Sequence, residues 1–410
     1  MKIVILEKEE GFGIGGIGVY NQRLRSFLEK RGHEVNIISF SNKKTKDKNI
    51  LNISYHWGEK RGFIVVPSEH ALTKMRKYLK RIKPDLVHFS IGISPLDLMV
   101  PSLCHKLKIP VLGIWHSDFN TGNNAYSLLA KSMYTAYLPV CGQLDSLVVF
   151  SEKLKNFHIK HGLDESKIFI IPNGTNTNFY KPGVSLFGKT NQIKRGILFL
   201  GRVTIQKNPE VLLNAFSSLS SFADTKLIIV GDGDQKEGLQ EEYQDSRIIF
   251  TGMIKSEKQK LDIIRSCQIF VLPSYIEGMS LALVEAMSCG LACVTSDAGS
   301  HDELLENAGI TIPISRLKQE LPLALRLLLS NPDVTQLLGK KARIKAQKYY
   351  SQGTNFGQLI KTYQQTIFDY KKRGYPQTNP INLNYEIKER LKRIWEKAKE
   401  LGTTYLLGDE

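Results

Sequence analysis

The sequence predicts an α/β protein of two domains, each built on a parallel sheet, and three observations lead there. Residues 269–297, IFVLPSYIEGMSLALVEAMSCGLACVTSD, read as strand, loop, helix, turn and strand. An apolar run breaks at Pro273, a helical pattern over 280–288 is stopped by Gly290, and a second apolar run begins at Leu291. The amino terminus repeats this order, with a strand over 3–6, a glycine cluster, a helical pattern over 19–30 and a strand over 35–40. Finally, 410 residues are enough for two domains with separate cores.

A hydrophobic content of 42% and a charged content of 23% are ordinary for a globular protein. No apolar run reaches the roughly 18 residues of a membrane-spanning helix. Met1 leads directly into KIVIL where a signal peptide would stand, so the chain is expected on the cytoplasmic side. Cysteines 104, 141, 267, 289 and 293 lack paired CxxC spacing and are expected to be reduced core residues, with no metal. The formal charge of +16 is uneven: residues 1–182 carry 26 basic against 15 acidic side chains, and residues 183–370 carry 21 against 19. An electropositive first half suggests an anionic partner there. Nucleic acid is not expected, because aromatic residues are not interleaved with the basic clusters.

In the first half, the cluster Gly11, Gly13, Gly15, Gly16 and Gly18 contains literal GxGxxG matches. A nicotinamide site would also need an acidic residue at the end of the second strand, and that strand ends in Ser39, Phe40, Ser41 and Asn42. Further strands are expected over 63–66, 85–89, 110–115 and 147–150. Between the first two lies HALTKMRKYLKRIKP, residues 70–84, a helical pattern with Leu72, Met75, Leu79 and Ile82 on one side. Lys74, Arg76, Lys77, Lys80, Arg81 and Lys83 crowd the rest without an acid among them. Such a helix is either a solvated one packed by its stripe or one that docks on anionic lipid. His116 follows VLGIW directly and so stands at the carboxyl end of a strand.

In the second half, a polar linker over 183–194 precedes a buried strand over 196–200 that ends in Gly201 and Arg202, with Lys207 five residues on. A strand over 226–230 ends in GDGD, which lacks the later ligands of a calcium loop. A strand over 247–252 is followed by Met253, Ile254 and Lys255. In the 269–297 unit, the loop and first helical turn belong at the carboxyl edge of a parallel sheet, where free N–H groups favour an anion. Two carboxylates lie there, Glu277 in the loop and Glu285 within the helix, and a charge on the packed face needs a partner. Helices are expected over 315–330, 334–350 and 355–370, and a last one over 385–400.

The pattern E-x7-E, from Glu277 to Glu285 inside PSYIEGMSLALVEAMSCG, resembles the signature of the family 4 retaining glycosyltransferases. GRVTIQKNPE resembles their G-R-x(4)-K segment, and 146–182 resembles the end of their first domain, with Asn176 where Asp is usual. The resemblance covers nearly all of the chain except 371–410. It implies the GT-B architecture: two Rossmann-like domains, 1–182 on the acceptor side and 183–350 on the nucleotide-sugar side, facing across a cleft. Residues 351–410 would then hold a helix returning to the first domain.

The resemblance also implies roles. Arg202 and Lys207 grip the donor diphosphate, Gly15 and Gly16 approach it by their backbone, and Met253 lies where the base rests. Glu277 and Gly278 orient the donor sugar, the backbone of Met279, Ser280 and Leu281 caps the phosphate, and Glu285 accepts from the ribose hydroxyls. His116 meets the sugar near its reacting carbon, and Asn173 and Gly174 form a nearby loop. The implied activity is retaining transfer from a nucleotide diphosphate sugar, the donor substrate, without metal or other cofactor. The leaving phosphate oxygen itself takes the acceptor's proton. The basic first half favours a lipid or lipid-linked glycan acceptor at the inner face of the plasma membrane. A soluble glycan or small-molecule acceptor and a GT-B sugar-nucleotide epimerase are the alternatives.

Overall fold

The computed structural model describes residues 1–7, 15–42, 45, 47–58, 65–68, 70–91, 94–118 and 137–378. Its contacts divide the chain into two units. One comprises Met1–His116, the stretch up to Ile171 and the chain from Phe356. The other comprises Pro172–Asn355 together with Ser117 and Asp118.

The first unit holds a seven-stranded sheet. Its strands are β1 (Lys2–Leu6), β2 (Glu34–Phe40), β3 (Ile50–Ile53), β4 (Leu86–Ile91), β5 (Val111–Trp115), β6 (Ser146–Val149) and β7 (Ile168–Ile170). They lie in the order β7-β6-β5-β4-β1-β2-β3, every pair parallel. Continuous apolar runs such as KIVIL are what a sheet buried on both faces requires. Its helices include α1 (Gly15–Glu29), α2 (Ala71–Ile82), α3 (Val100–Lys106) and α4 (Glu152–Lys160). A separate antiparallel pair joins Tyr55–Gly58 to Val65–Pro67, so the strand expected over 63–66 lies partly outside the described residues.

The second unit holds six parallel strands: β8 (Arg195–Leu200), β9 (Thr225–Val230), β10 (Ile248–Gly252), β11 (Ile269–Leu272), β12 (Ala292–Ser296) and β13 (Gly309–Ile312). Their order is β10-β9-β8-β11-β12-β13. Numbered within the unit this is 3-2-1-4-5-6, the doubly wound Rossmann order, whose direction reverses between β8 and β11. The helices are α5 (Leu186–Thr190), α6 (Pro209–Ser217), α7 (Lys236–Glu242), α8 (Glu257–Arg265), α9 (Leu281–Cys289), α10 (His301–Leu305), α11 (Leu317–Ser330) and α12 (Pro332–Tyr349). Helix α9 is buried from Leu283 to Cys289, which explains a sequence apolar almost all round. Gly290, left-handed at φ +80°, ends it.

The last helix, α13 (Gln352–Lys372), belongs from Phe356 onward to the first unit. Tyr363 is hydrogen-bonded to His88, Thr366 to Ser146 at 2.8 Å, and the Phe356 ring meets Tyr20 and Phe27 edge-on. The helix expected over 385–400 lies outside the described residues. All five cysteines are buried and unpaired. Among the described residues no helix is long and apolar enough to cross a membrane.

Candidate functional site

In a doubly wound sheet the ligand crevice lies outside the carboxyl ends of the strands, where the strand order reverses. In the second unit the loops at that point follow β8 and β11, and they carry Arg202, Lys207 and Glu277. The two loops are tied together, since the Tyr275 amide donates to the Gln206 carbonyl at 2.8 Å. The guanidinium of Arg202 donates to Gln206 Oε1 at 3.3 Å. Lys207 is followed by Asn208 in the left-handed region at φ +51°, which turns the chain into α6 with Pro209 at its first position.

Lys207 Nζ donates to Glu277 Oε1, and Ser274 Oγ donates to the same oxygen at 3.2 Å. Burial pushes the Glu277 carboxyl up, but Lys207, His301 and the hydrogen bond from Ser274 outweigh it and hold its pKa below the usual range. The carboxylate therefore stays ionised. Glu277 and Gly278 also form a two-residue antiparallel ribbon with Ser117 and Asp118.

Glu285, one helical turn further into α9, is buried and has a cation of its own. Lys260 of α8 lies 3.2 and 3.1 Å from its two oxygens and also bonds Glu257 at 2.9 Å. Tyr180 backs this pair, its hydroxyl bonded to Glu257 and its ring 5.3 Å from the Lys260 ammonium. Lys260 and Ser274 did not stand out in the sequence. Lys260 pairs across two helices with a residue 25 positions away, and no local pattern marks such a partner.

Between the carboxylates, the start of α9 is braced. Ser280 caps it, its hydroxyl accepting from the Leu283 amide at 3.3 Å. Asn173 holds Met279 by its side-chain amide, which donates to the Met279 carbonyl at 2.9 Å. Gly174 packs where a Cβ would lie 2.8 Å from the Gln352 amide nitrogen, so Asn173-Gly174 is a packing point rather than a hairpin turn. Gly278 and Leu281 are half-buried, and Met253, after β10, is 59% exposed.

The GDGD segment buttresses the Arg202 loop. The Val203 amide donates to the Asp232 carbonyl at 2.9 Å, and a Cβ on Gly231 would lie 1.8 Å from the Gly201 carbonyl oxygen. Glycine is required there by both space and backbone, since φ is +142°.

In the first unit, His116 follows β5, with Nε2 3.2 Å from Ser90 Oγ and the Tyr20 and Phe150 rings edge-on at 5.3 and 5.5 Å. Burial pulls its pKa down to about 3, so the ring is neutral at physiological pH. Gly15 and Gly16 open α1, and Gly16 has open space where a Cβ would be, so neither a positive φ nor close packing demands glycine there. The preceding glycines Gly11 and Gly13 lie outside the described residues.

On α2, Lys74, Arg76, Lys77, Lys80, Arg81 and Lys83 are all exposed. Its buried stripe differs from the expected one: Ala71, Met75, Tyr78 and Leu79 are buried, while Leu72 and Ile82 are only half-buried. Tyr78, which was not among the expected stripe, is buried, and its hydroxyl donates to the Asn49 carbonyl at 3.1 Å.

Residues 14–179 match the model of Glycosyltransferase Family 4, and residues 194–331 match that of Glycosyl transferases group 1. The UDP-Gal:alpha-D-GlcNAc-diphosphoundecaprenol alpha-1,3-galactosyltransferase of Escherichia coli is 29% identical over 70% of this chain and 76% of its own length. The alpha-monoglucosyldiacylglycerol synthase of Streptococcus pneumoniae is 27% identical over 68% of this chain and 67% of its own. Two further curated relatives are matched over 64% and 80% of their lengths. Among solved structures, HepE of Anabaena, determined in complex with UDP, superposes with a TM-score of 0.70 at 16% identity, over 89% of this chain and all of that one. The chain thus has the GT-B fold, and it belongs to glycosyltransferase family 4, the group 1 glycosyl transferases.

Proposed function

We propose that this glycosyltransferase is retaining and metal-independent, and that it moves a sugar from a nucleoside diphosphate sugar to a hydroxyl of a membrane lipid or lipid-linked glycan. The observation that carries the donor half is the pair of lysine–carboxylate contacts, Lys207–Glu277 and Lys260–Glu285, on either side of the start of α9 where the strand order reverses. A buried carboxylate suits a vicinal diol, whereas cations suit a diphosphate. Glu285 therefore takes the ribose, Arg202 and Lys207 the diphosphate, and Glu277 the sugar hydroxyls. Met279, Ser280 and Leu281 offer backbone to the phosphate, Met253 the base. UDP in the HepE structure supports a nucleotide of this class.

In the reaction, the acceptor oxygen bonds to the anomeric carbon as the bond from that carbon to the phosphate oxygen breaks. The nucleoside diphosphate leaves with the bonding electrons and takes the acceptor's proton. Charge builds on the departing phosphate, where Arg202 and Lys207 stabilise it. His116 keeps the role implied by resemblance. A neutral ring adds no positive charge beside a sugar that itself becomes positive.

The acceptor half is supported by the names of two relatives, which include a diphosphoundecaprenol and a diacylglycerol, and by the six exposed cations of α2. Sedimentation with vesicles tests it: binding to anionic vesicles and not neutral ones is expected, while equal binding to both, or to neither, contradicts it. Turnover that persists in EDTA and retention of anomeric configuration in the product are expected for the chemistry. Loss of turnover or inversion contradicts it.

A further inference from the structure

The segment Gly299-Ser300-His301 follows β12 and lies against the backbone of the Glu277 loop. Gly299 has φ +64°, and a Cβ there would lie 2.4 Å from the Glu277 carbonyl oxygen. The Ser300 amide donates to the Gly278 carbonyl at 3.3 Å. His301 is fully buried, close enough to Glu277 and Lys207 to interact electrostatically with both.

The ring of His301 has a defined polarity. Its Nδ1 faces the Ser296 carbonyl oxygen at 3.3 Å. A carbonyl only accepts, so Nδ1 carries the proton, and in the neutral ring Nε2 presents a lone pair. Burial lowers the pKa of His301, which favours that neutral form. Among the described residues Nε2 has no hydrogen-bond partner, and neither does the buried hydroxyl of Ser300, the residue before it. Orphaned buried polar atoms are rare and each calls for an explanation. Two on consecutive residues, clamped to the loop of a signature carboxylate, share one.

We propose that His301 and Ser300 extend the sugar-binding wall begun by Glu277, with His301 Nε2 accepting a hydrogen bond from a hydroxyl of the donor sugar. This rests on the donor-site reading above and adds a determinant of sugar selectivity to it. A site with a buried acceptor rejects a deoxy analogue, because the acceptor then stays unpaired.

The test uses the full chain and whichever UDP-, GDP- or ADP-sugar raises its melting temperature most. His301→Leu should lower kcat/KM for that sugar at least about tenfold while leaving the affinity for the bare nucleoside diphosphate unchanged. His301→Gln, which keeps an acceptor, should restore much of the loss. Should His301→Leu fold poorly, the unmodified chain is assayed with singly deoxygenated donors, one of which should suffer a loss that persists in His301→Gln. Unchanged kcat/KM in His301→Leu, equal weakening of the bare nucleotide, or indifference to every deoxy donor overturns the inference and leaves the donor site standing. Failure of every nucleotide to stabilise the unmodified chain overturns both.

Discussion

The ammonium of Lys260 touches both carboxylate oxygens of Glu285, at 3.2 and 3.1 Å, between α8 and α9. Lys260 supplies a counter-charge to Glu285 on the buried face of α9. A carboxylate accepts and a vicinal diol donates, which is the chemistry proposed for Glu285 at the ribose. Lys260 acts through Glu285 and is a positioning residue.

Lys260→Met should therefore destabilise the fold by about 3 kcal/mol, because it removes the counter-charge of a buried carboxylate. It should also raise the KM for the donor with little change in kcat. Adding Glu285→Gln should recover much of the stability but none of the donor affinity. Urea unfolding and steady-state kinetics on the two single variants and the double variant check both halves.

Lys207 has a different partner and a different expected signature. It bonds Glu277 and, in the proposed reaction, meets the charge that develops on the leaving diphosphate. Lys207→Ala should cost about 10²-fold or more in kcat. Single-turnover rates at saturating donor separate this from a binding defect, and an unchanged rate contradicts the role.

Gly231→Ala tests the buttress under Arg202. Its Cβ would collide with the Gly201 carbonyl at 1.8 Å in a conformation that alanine avoids. The variant should lose more than about 1 kcal/mol of stability and bind donor more weakly, since relief of the collision displaces the residue before Arg202. Normal donor affinity in a destabilised variant would show that Arg202 does not depend on this contact.

The legible parts of the sequence were those in which one element carries its own signal. The buried strands β8, β9 and β11 are unbroken apolar runs, and Gly290 and Pro273 punctuate α9 and its loop, so the region around Glu277 and Glu285 could be read directly. The short edge strands β3, β7 and β13, of three or four residues, went unread because so few positions establish no period. The counter-charge Lys260, the hydrogen-bond donor Ser274 and the orphaned His301 were hidden for another reason: their importance comes from tertiary neighbours. In α2 the expected stripe omitted Tyr78, whose polar tip and apolar body suit either side of a helix.

Stability should fall as the solution is acidified. Burial lowers the pKa of His88 and His116 to about 3 and that of His158 to about 4, from 6.5. Below 6.5 the unfolded chain binds protons that the folded chain refuses, so stability is fully present above that pH and is lost as pH drops toward 4 and 3. The depressed Glu277 acts in the same direction at lower pH. Each histidine contributes a slope of at most about 1.4 kcal/mol per pH unit. Urea midpoints at pH 7.5 and 5.0 check the sign, and an equal or higher midpoint at pH 5.0 contradicts it.

The most direct measurement is the melting temperature of the chain against a panel of nucleoside diphosphates and their sugars, run in parallel on Glu285→Ala. The account predicts that at least one nucleotide raises the midpoint of the unmodified chain and that Glu285→Ala abolishes most of that rise. A panel without effect on the unmodified chain, or an equal rise in Glu285→Ala, would contradict the claim that the second unit holds the donor at this carboxylate.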